Sequence, residues 1–131
     1  MCDIYIFDAM RKLLFILLFV FTTAGFAQTS KPVEVLEPEV YQEKIDQKQV
    51  QFVDVRTPKE YEAGHIKGAQ NIDFLGEDFL KEISKLDKEQ PLYIYCRSGN
   101  RSAKASEQLK AEGFKKIVDL KGGYKAWTAM E

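Results

Sequence analysis

Four apolar residues, Leu92-Tyr93-Ile94-Tyr95, run directly into Cys96-Arg97-Ser98-Gly99-Asn100-Arg101-Ser102. A helical stretch from Ala103 to Glu112 follows and stops at Gly113. The apolar run reads as a buried strand. A strand end, a tight loop and a helix start in that order are one unit of a covered parallel sheet, which limits the fold more than any other stretch does. The unit also places a cysteine at a helix mouth. Amides there lack helical partners, and the helix dipole adds positive character. Arg97 and Arg101 add full charges, while Ser98, Gly99 and Asn100 let the loop curl until its amides converge. Such a loop stabilises a thiolate and holds an anion.

The flanking segments supply the rest of an alternating pattern. Val33-Glu34-Val35 reads as a first strand, and Glu37-Pro38 opens a helix whose Val40, Tyr41 and Ile45 are expected to face the core. Val50 to Val55 reads as a second strand, ending on Asp54 and Arg56. Thr57-Pro58-Lys59-Glu60 carries a cap, a proline at the first helical position and a closing glutamate. Gly64 ends that helix, and His65 to Ile72 turns into a short third strand. Phe79, Leu80, Ile83 and Leu86 predict an amphipathic helix over Glu77 to Leu86. Lys116 to Leu120 reads as a fifth strand, and Gly122-Gly123 turns into a last helix with Tyr124 and Trp127. Strands alternating with helices at this spacing predict an α/β domain, in which ligands bind beyond the carboxyl ends of the strands.

The chain has 131 residues, the length of one domain. Its formal net charge of −1 gives no bulk attraction to nucleic acid. The charge is uneven: residues 31–90 carry 9 Lys/Arg against 14 Asp/Glu, and residues 91–131 carry 8 against 4. The basic part starts at the cysteine loop and suits an anionic substrate.

Residues 1–27 read as a leader. Arg11-Lys12 precedes the apolar run Leu13 to Phe21, and Ala24-Gly25-Phe26-Ala27 offers small residues for a cut before Gln28. Asp3 and Asp8 suit such a leader poorly, so translation is expected to start at Met10. The expected location is periplasmic or secreted, without stable membrane insertion after cleavage; an uncleaved anchor is the alternative. Cleavage leaves residues 28–131 with Cys96 as the one cysteine, because Cys2 goes with the leader. One histidine and one cysteine make no zinc site, and no glycine-rich nucleotide fingerprint is present. No cofactor is expected, and a monomer is the default at this size.

Four features together resemble the rhodanese family: Asp54-Val55-Arg56 with Glu60-Tyr61, Gly64-His65-Ile66-Lys67-Gly68-Ala69 with Asn71-Ile72, the loop Cys96 to Ser102, and Gly122-Gly123-Tyr124 with Trp127. Tyr124 stands where the family often has tryptophan. The resemblance spans nearly all of residues 31–129 and implies a three-layer α/β/α domain with a five-stranded parallel sheet. It also implies a sulfurtransferase, a single-domain thiosulfate sulfurtransferase of an exported bacterial form. Cys96 would attack the outer sulfur of a small anionic donor such as thiosulfate, release sulfite and carry a persulfide to a thiol or cyanide acceptor. The bottom-up reading agrees: the amides and side chains of Arg97, Ser98, Gly99, Asn100, Arg101 and Ser102 are the candidate substrate cradle. Asp54 is read as a hydrogen-bond acceptor tying the second strand to its neighbours, with Arg56 beside it and His65 as a packing residue of its turn. Trp127 is read as core.

Rival chemistries share the loop. A Cys-dependent phosphatase or arsenate reductase resembles Cys-x5-Arg, whereas Arg101 closes a loop one residue shorter, with less room for a tetrahedral group. A persulfide carrier would use the same Cys96, and a non-catalytic binding module would have no need of it.

Overall fold

A computed structural model describes residues 5, 6, 8–10, 12 and 31–131. The expected leader, its apolar run, its cut site and Cys2 lie outside the described residues, apart from the helical positions 5, 6, 8–10 and 12, where Lys12 pairs with Asp8 at 2.8 Å. Among the described residues no helix is long and apolar enough to cross a membrane. Lys31–Glu131 forms one compact unit.

That unit alternates β1 (Val33–Leu36), α1 (Pro38–Gln47), β2 (Gln51–Asp54), α2 (Pro58–Ala63), β3 (Gln70–Asn71), α3 (Phe79–Ile83), β4 (Leu92–Tyr95), α4 (Asn100–Ala111), β5 (Ile117–Leu120) and α5 (Gly123–Met130). The five strands form one parallel sheet in the order β1-β5-β4-β2-β3. This is the five-stranded parallel sheet of the α/β/α architecture that the resemblance implies. β4 lies at the centre, so its four residues are buried on both faces.

Side-chain alternation divides the core into two layers. Val53, Leu92, Ile94, Cys96 and Ile117 join Phe79 and Ile83 of α3 and Ala105 and Leu109 of α4 on one face. Phe52, Tyr93, Tyr95, Val118 and Leu120 meet Tyr41 of α1 and Trp127 of α5 on the other. Tyr41 is fully buried, yet its hydroxyl finds an acceptor in the Ile94 carbonyl at 3.0 Å.

Three expectations need correction. Val40 is 41% exposed rather than core, because Tyr41 and Ile45 already turn the apolar stripe of α1 toward the sheet. The helix predicted over Glu77 to Leu86 shrinks to Phe79–Ile83. Asp78 makes no side-chain cap, and the Lys85 and Leu86 amides reach back only three residues, to Glu82 and Ile83, so the chain tightens into turns. Helix α4 begins at Asn100, three residues earlier than the sequence pattern indicates. Gly99 at φ 107° reverses the chain so sharply that the loop passes at once into helix.

Candidate functional site

The site is built at the carboxyl end of β4. Cys96 is 1% exposed and continues the buried alternation of the strand. Its sulfur accepts the Gly99 amide at 3.0 Å and lies 3.3 Å from the Ser102 hydroxyl. Ala103 is the first residue of α4 whose amide reaches back, to Gly99 O at 3.1 Å, so the preceding amides head the helix beside the sulfur. The early start of α4 carries Arg101 and Ser102 on its first turn.

Helix α5 fixes the loop from the other side. The Tyr124 amide donates to the Cys96 carbonyl at 2.8 Å, and the Lys125 amide donates to the Arg97 carbonyl at 2.9 Å. Both carbonyls are thereby held on α5. Gly123, at φ 61°, allows this approach: a Cβ there would stand 2.5 Å from Cys96 O and 2.6 Å from Arg97 O.

The candidate cradle residues divide by their side chains. Arg97 is exposed and makes no side-chain hydrogen bond or ion pair with any described residue, and Ser98 and Asn100 are also exposed. Arg101 instead grips Glu60 through two bonds, Nη1 to Oε1 at 2.7 Å and Nη2 to Oε2 at 2.9 Å. That guanidinium holds the Glu60 carboxyl down at about 2. Glu60 also receives the Thr57 hydroxyl at 3.1 Å, and Thr57 Oγ1 accepts the Glu60 amide at 3.3 Å, closing the expected cap of α2.

Asp54 and Arg56 form a sealed support. Asp54 is fully buried, and its carboxylate takes the Arg56 amide at 2.9 Å, Nε at 3.0 Å and Nη2 at 2.7 Å. Arg56 Nη2 also donates to Gly64 O at 2.6 Å, and the guanidinium lies 4.2 Å from the Tyr124 ring centre. Asn71 donates to the Asp54 and Arg56 carbonyls, which locks β3 to the end of β2. His65 stacks on Tyr61 with ring centres 3.7 Å apart and sets Nδ1 2.9 Å from Tyr61 O. It packs its own turn, with both of these interactions made to Tyr61.

A cleft of about 380 Å³ opens beside the loop, lined by Arg56, Glu60, Ala63, Gly64, Arg97, Tyr124 and Lys125. Glu60 is already paired with Arg101, so the cleft offers Arg97 and Lys125 to an anion. Glu60, Gly123, Tyr124 and Lys125 were not legible as site residues. The Gly-Gly pair ahead of an aromatic was the one local signal available.

Comparison with known proteins now decides the family. Residues 37–130 match the rhodanese-like domain. The chain belongs to the rhodanese-like domain family. It is 34% identical over 117 residues to thiosulfate sulfurtransferase 18 of Arabidopsis thaliana, covering 79% of this chain and 86% of that protein. It is 30% identical over 115 residues to the uncharacterized protein YqhL of Bacillus subtilis, covering 88% of each. Among solved structures, a rhodanese-related protein from Thermoplasma volcanium superposes with a TM-score of 0.65 at 29% identity, over 74% of this chain and 92% of that one. Membership of this rhodanese family, with its sulfurtransferase relatives, carries the general expectation of a sulfur donor and a sulfur acceptor.

Proposed function

We propose that this protein transfers a sulfane sulfur from thiosulfate or a similar small anion to a thiol acceptor through a persulfide on Cys96. The observation that carries the reading is the Gly99 amide aimed at the Cys96 sulfur at 3.0 Å, at the mouth of α4 and the end of the central strand. A thiolate there faces a helix N-terminus and a peptide dipole.

The reaction divides into two displacements. The Cys96 thiolate attacks the outer sulfur of thiosulfate. A Cys96 sulfur–sulfur bond forms, the donor's own sulfur–sulfur bond breaks, and sulfite leaves with the electron pair. The terminal persulfide sulfur carries the negative charge left on the enzyme, and the loop amides stabilise it. An acceptor thiolate then attacks that terminal sulfur, takes it, and returns Cys96 as a thiolate. Arg97 and Lys125 meet the sulfonate end of the donor from the cleft, as mobile cations on long stems. Arg101 acts on the loop chiefly through its backbone, since its side chain is spent on Glu60.

Intact mass after exposure to thiosulfate tests the reading. One added sulfur atom on Cys96, removed by cyanide and absent in Cys96→Ser, is the expected result. Recovery of unmodified wild-type protein under reductant-free conditions overturns it. Hydrolysis of p-nitrophenyl phosphate that depends on Cys96 would instead assign phosphatase chemistry.

A further inference from the structure

The cleft beside the cysteine loop has a neighbour. A second cavity of about 340 Å³ lies between α1, the turn from His65 to Lys67 and the α5 end of the chain. Tyr124 lines both cavities, and the consecutive residues Gly64 and His65 line one each, so the two adjoin. The ridge between them is braced. The Ile66 amide donates to the Tyr95 hydroxyl at 3.0 Å, Arg56 Nη2 donates to the Gly64 carbonyl at 2.6 Å, and the same guanidinium lies against the Tyr124 ring. Thiosulfate displaces no more than roughly 150 Å³, at about 30 Å³ for each of its five water-sized atoms. It therefore fills less than half of the first cavity, of about 380 Å³, and none of the second.

The two cavities differ in charge. The first offers the cations Arg97 and Lys125. The second sets two carboxylates, Asp46 and Glu131, and one ammonium, Lys67, around the buried apolar Ile66 and Trp127. Asp46 and Lys67 pair with no described residue, and Glu131 accepts only the Trp127 indole N–H, at 3.2 Å through Oε1. A simple anion entering there meets the carboxylates, and a simple cation meets Lys67. A group that carries both signs side by side satisfies both, as the ammonium and carboxylate of an amino-acid head do.

We propose that the second cavity binds the amino-acid head of a peptide-sized thiol, the sulfur acceptor, whose thiol and a further carboxylate lie in the first. The head's ammonium faces Asp46 and Glu131, its carboxylate faces Lys67, and the far carboxylate meets Arg97 and Lys125. Taken as spheres, adjoining cavities of these volumes have centres roughly 9 Å apart, about the reach of three extended residues. The acceptor thiolate attacks the terminal persulfide sulfur. A new sulfur–sulfur bond forms, the bond from that sulfur to Cys96 breaks, Cys96 leaves as a thiolate, and the acceptor departs as its own persulfide. The head thus supplies binding free energy remote from the reacting sulfur.

The acceptor's role rests on the transfer reading, whereas the cavity's occupant is tested by binding alone. Glutathione has the required pattern, and its S-methyl ether binds without accepting sulfur. Titration of the purified protein with S-methylglutathione, followed by amide NMR, is expected to shift the signals of His65 to Lys67 together with those of Arg97 and Lys125. Asp46→Asn and Lys67→Gln should each weaken binding about three- to fivefold, the range of an exposed charge contact. N-acetyl-S-methylcysteinylglycine keeps the far carboxylate and lacks the head, so it should bind the wild type more weakly and respond to neither substitution. Absence of binding at millimolar concentration overturns the proposal. So does binding that is indifferent to Asp46 and Lys67, or equal sensitivity of both ligands to those substitutions. Discharge of the Cys96 persulfide by glutathione at concentrations no lower than 2-mercaptoethanol requires would remove the acceptor role. Head-dependent binding in a protein that takes no sulfur from thiosulfate would sink the transfer reading and leave the cavity's occupant standing.

Discussion

At the scale of single residues, the two arginines of the cysteine loop part company. Arg97 faces the cleft with a free guanidinium, whereas Arg101 is bound through both terminal nitrogens to Glu60, forty-one positions away in the chain. Sequence alone shows two cations in one loop and cannot show which is spent, because the spending partner sits on α2. Arg97→Ala should therefore raise the thiosulfate concentration needed for half-maximal transfer by about tenfold while leaving thermal stability nearly unchanged. Arg101→Ala should do the reverse, costing about 1 kcal/mol of stability in a part-buried ion pair with a smaller effect on donor affinity. Steady-state kinetics and thermal melts of both variants check this, and equal donor defects would place Arg101 in the substrate site after all. Sequence alone suggests that Asp54 ties the second strand to its neighbours, whereas the carboxylate is taken up by Arg56 and it is the Asp54 carbonyl that reaches Asn71 of β3. The sequence could not show that Arg56 extends onward to Gly64 and the Tyr124 ring.

At the scale of elements, order and type were legible while ends were not. The apolar run Leu92 to Tyr95, bounded by Pro91, marks β4, and β5 is read from Ile117, Val118 and Leu120 around the one charged residue Asp119. The start of α4 depended on one backbone angle at Gly99, and the shortness of α3 on a missing cap and a tightened turn, neither of which leaves a mark on hydrophobic periodicity. The contact between α5 and the cysteine loop lay equally outside sequence reading, yet it sets the loop's shape. Gly123→Ala should cost about 2–3 kcal/mol, combining a left-handed alanine with a Cβ driven into the Cys96 and Arg97 carbonyls. It should also slow persulfide formation, because the loop must move to make room. Gly113→Ala is the control: its φ is 96°, and nothing lies within 4 Å of the added Cβ. That variant should lose stability from backbone strain while loading sulfur at the wild-type rate. Equal loading rates in the two variants would show that α5 does not shape the loop.

At the scale of the whole molecule, two carboxyls pull stability in opposite directions with pH. Glu60 drops from 4.5 to about 2 on folding, chiefly through its hydrogen bonds to Arg101. Its contribution is fully present above the unfolded value and is lost as pH falls toward 2. Asp119 rises from 3.8 to about 6 on folding, chiefly through burial. The native state then binds the proton more tightly than the unfolded chain, so stability falls as pH rises from 3.8 to 6 and stays reduced above that. An Asp inside Ile117-Val118-Asp119-Leu120 thus imposes a cost at neutral pH that an apolar strand would not carry. Asp119→Asn should match the wild type in melting temperature near pH 4 and exceed it increasingly through pH 6, by about 1–3 kcal/mol at pH 7.5. Arg101→Ala should show the opposite profile, falling short of the wild type near neutrality and converging with it as pH drops below about 4. Melting temperatures of the three proteins across this range separate the two effects. A constant offset between Asp119→Asn and wild type at every pH would mean that Asp119 has the same proton affinity folded and unfolded, and that burial beneath α4 does not burden its charge.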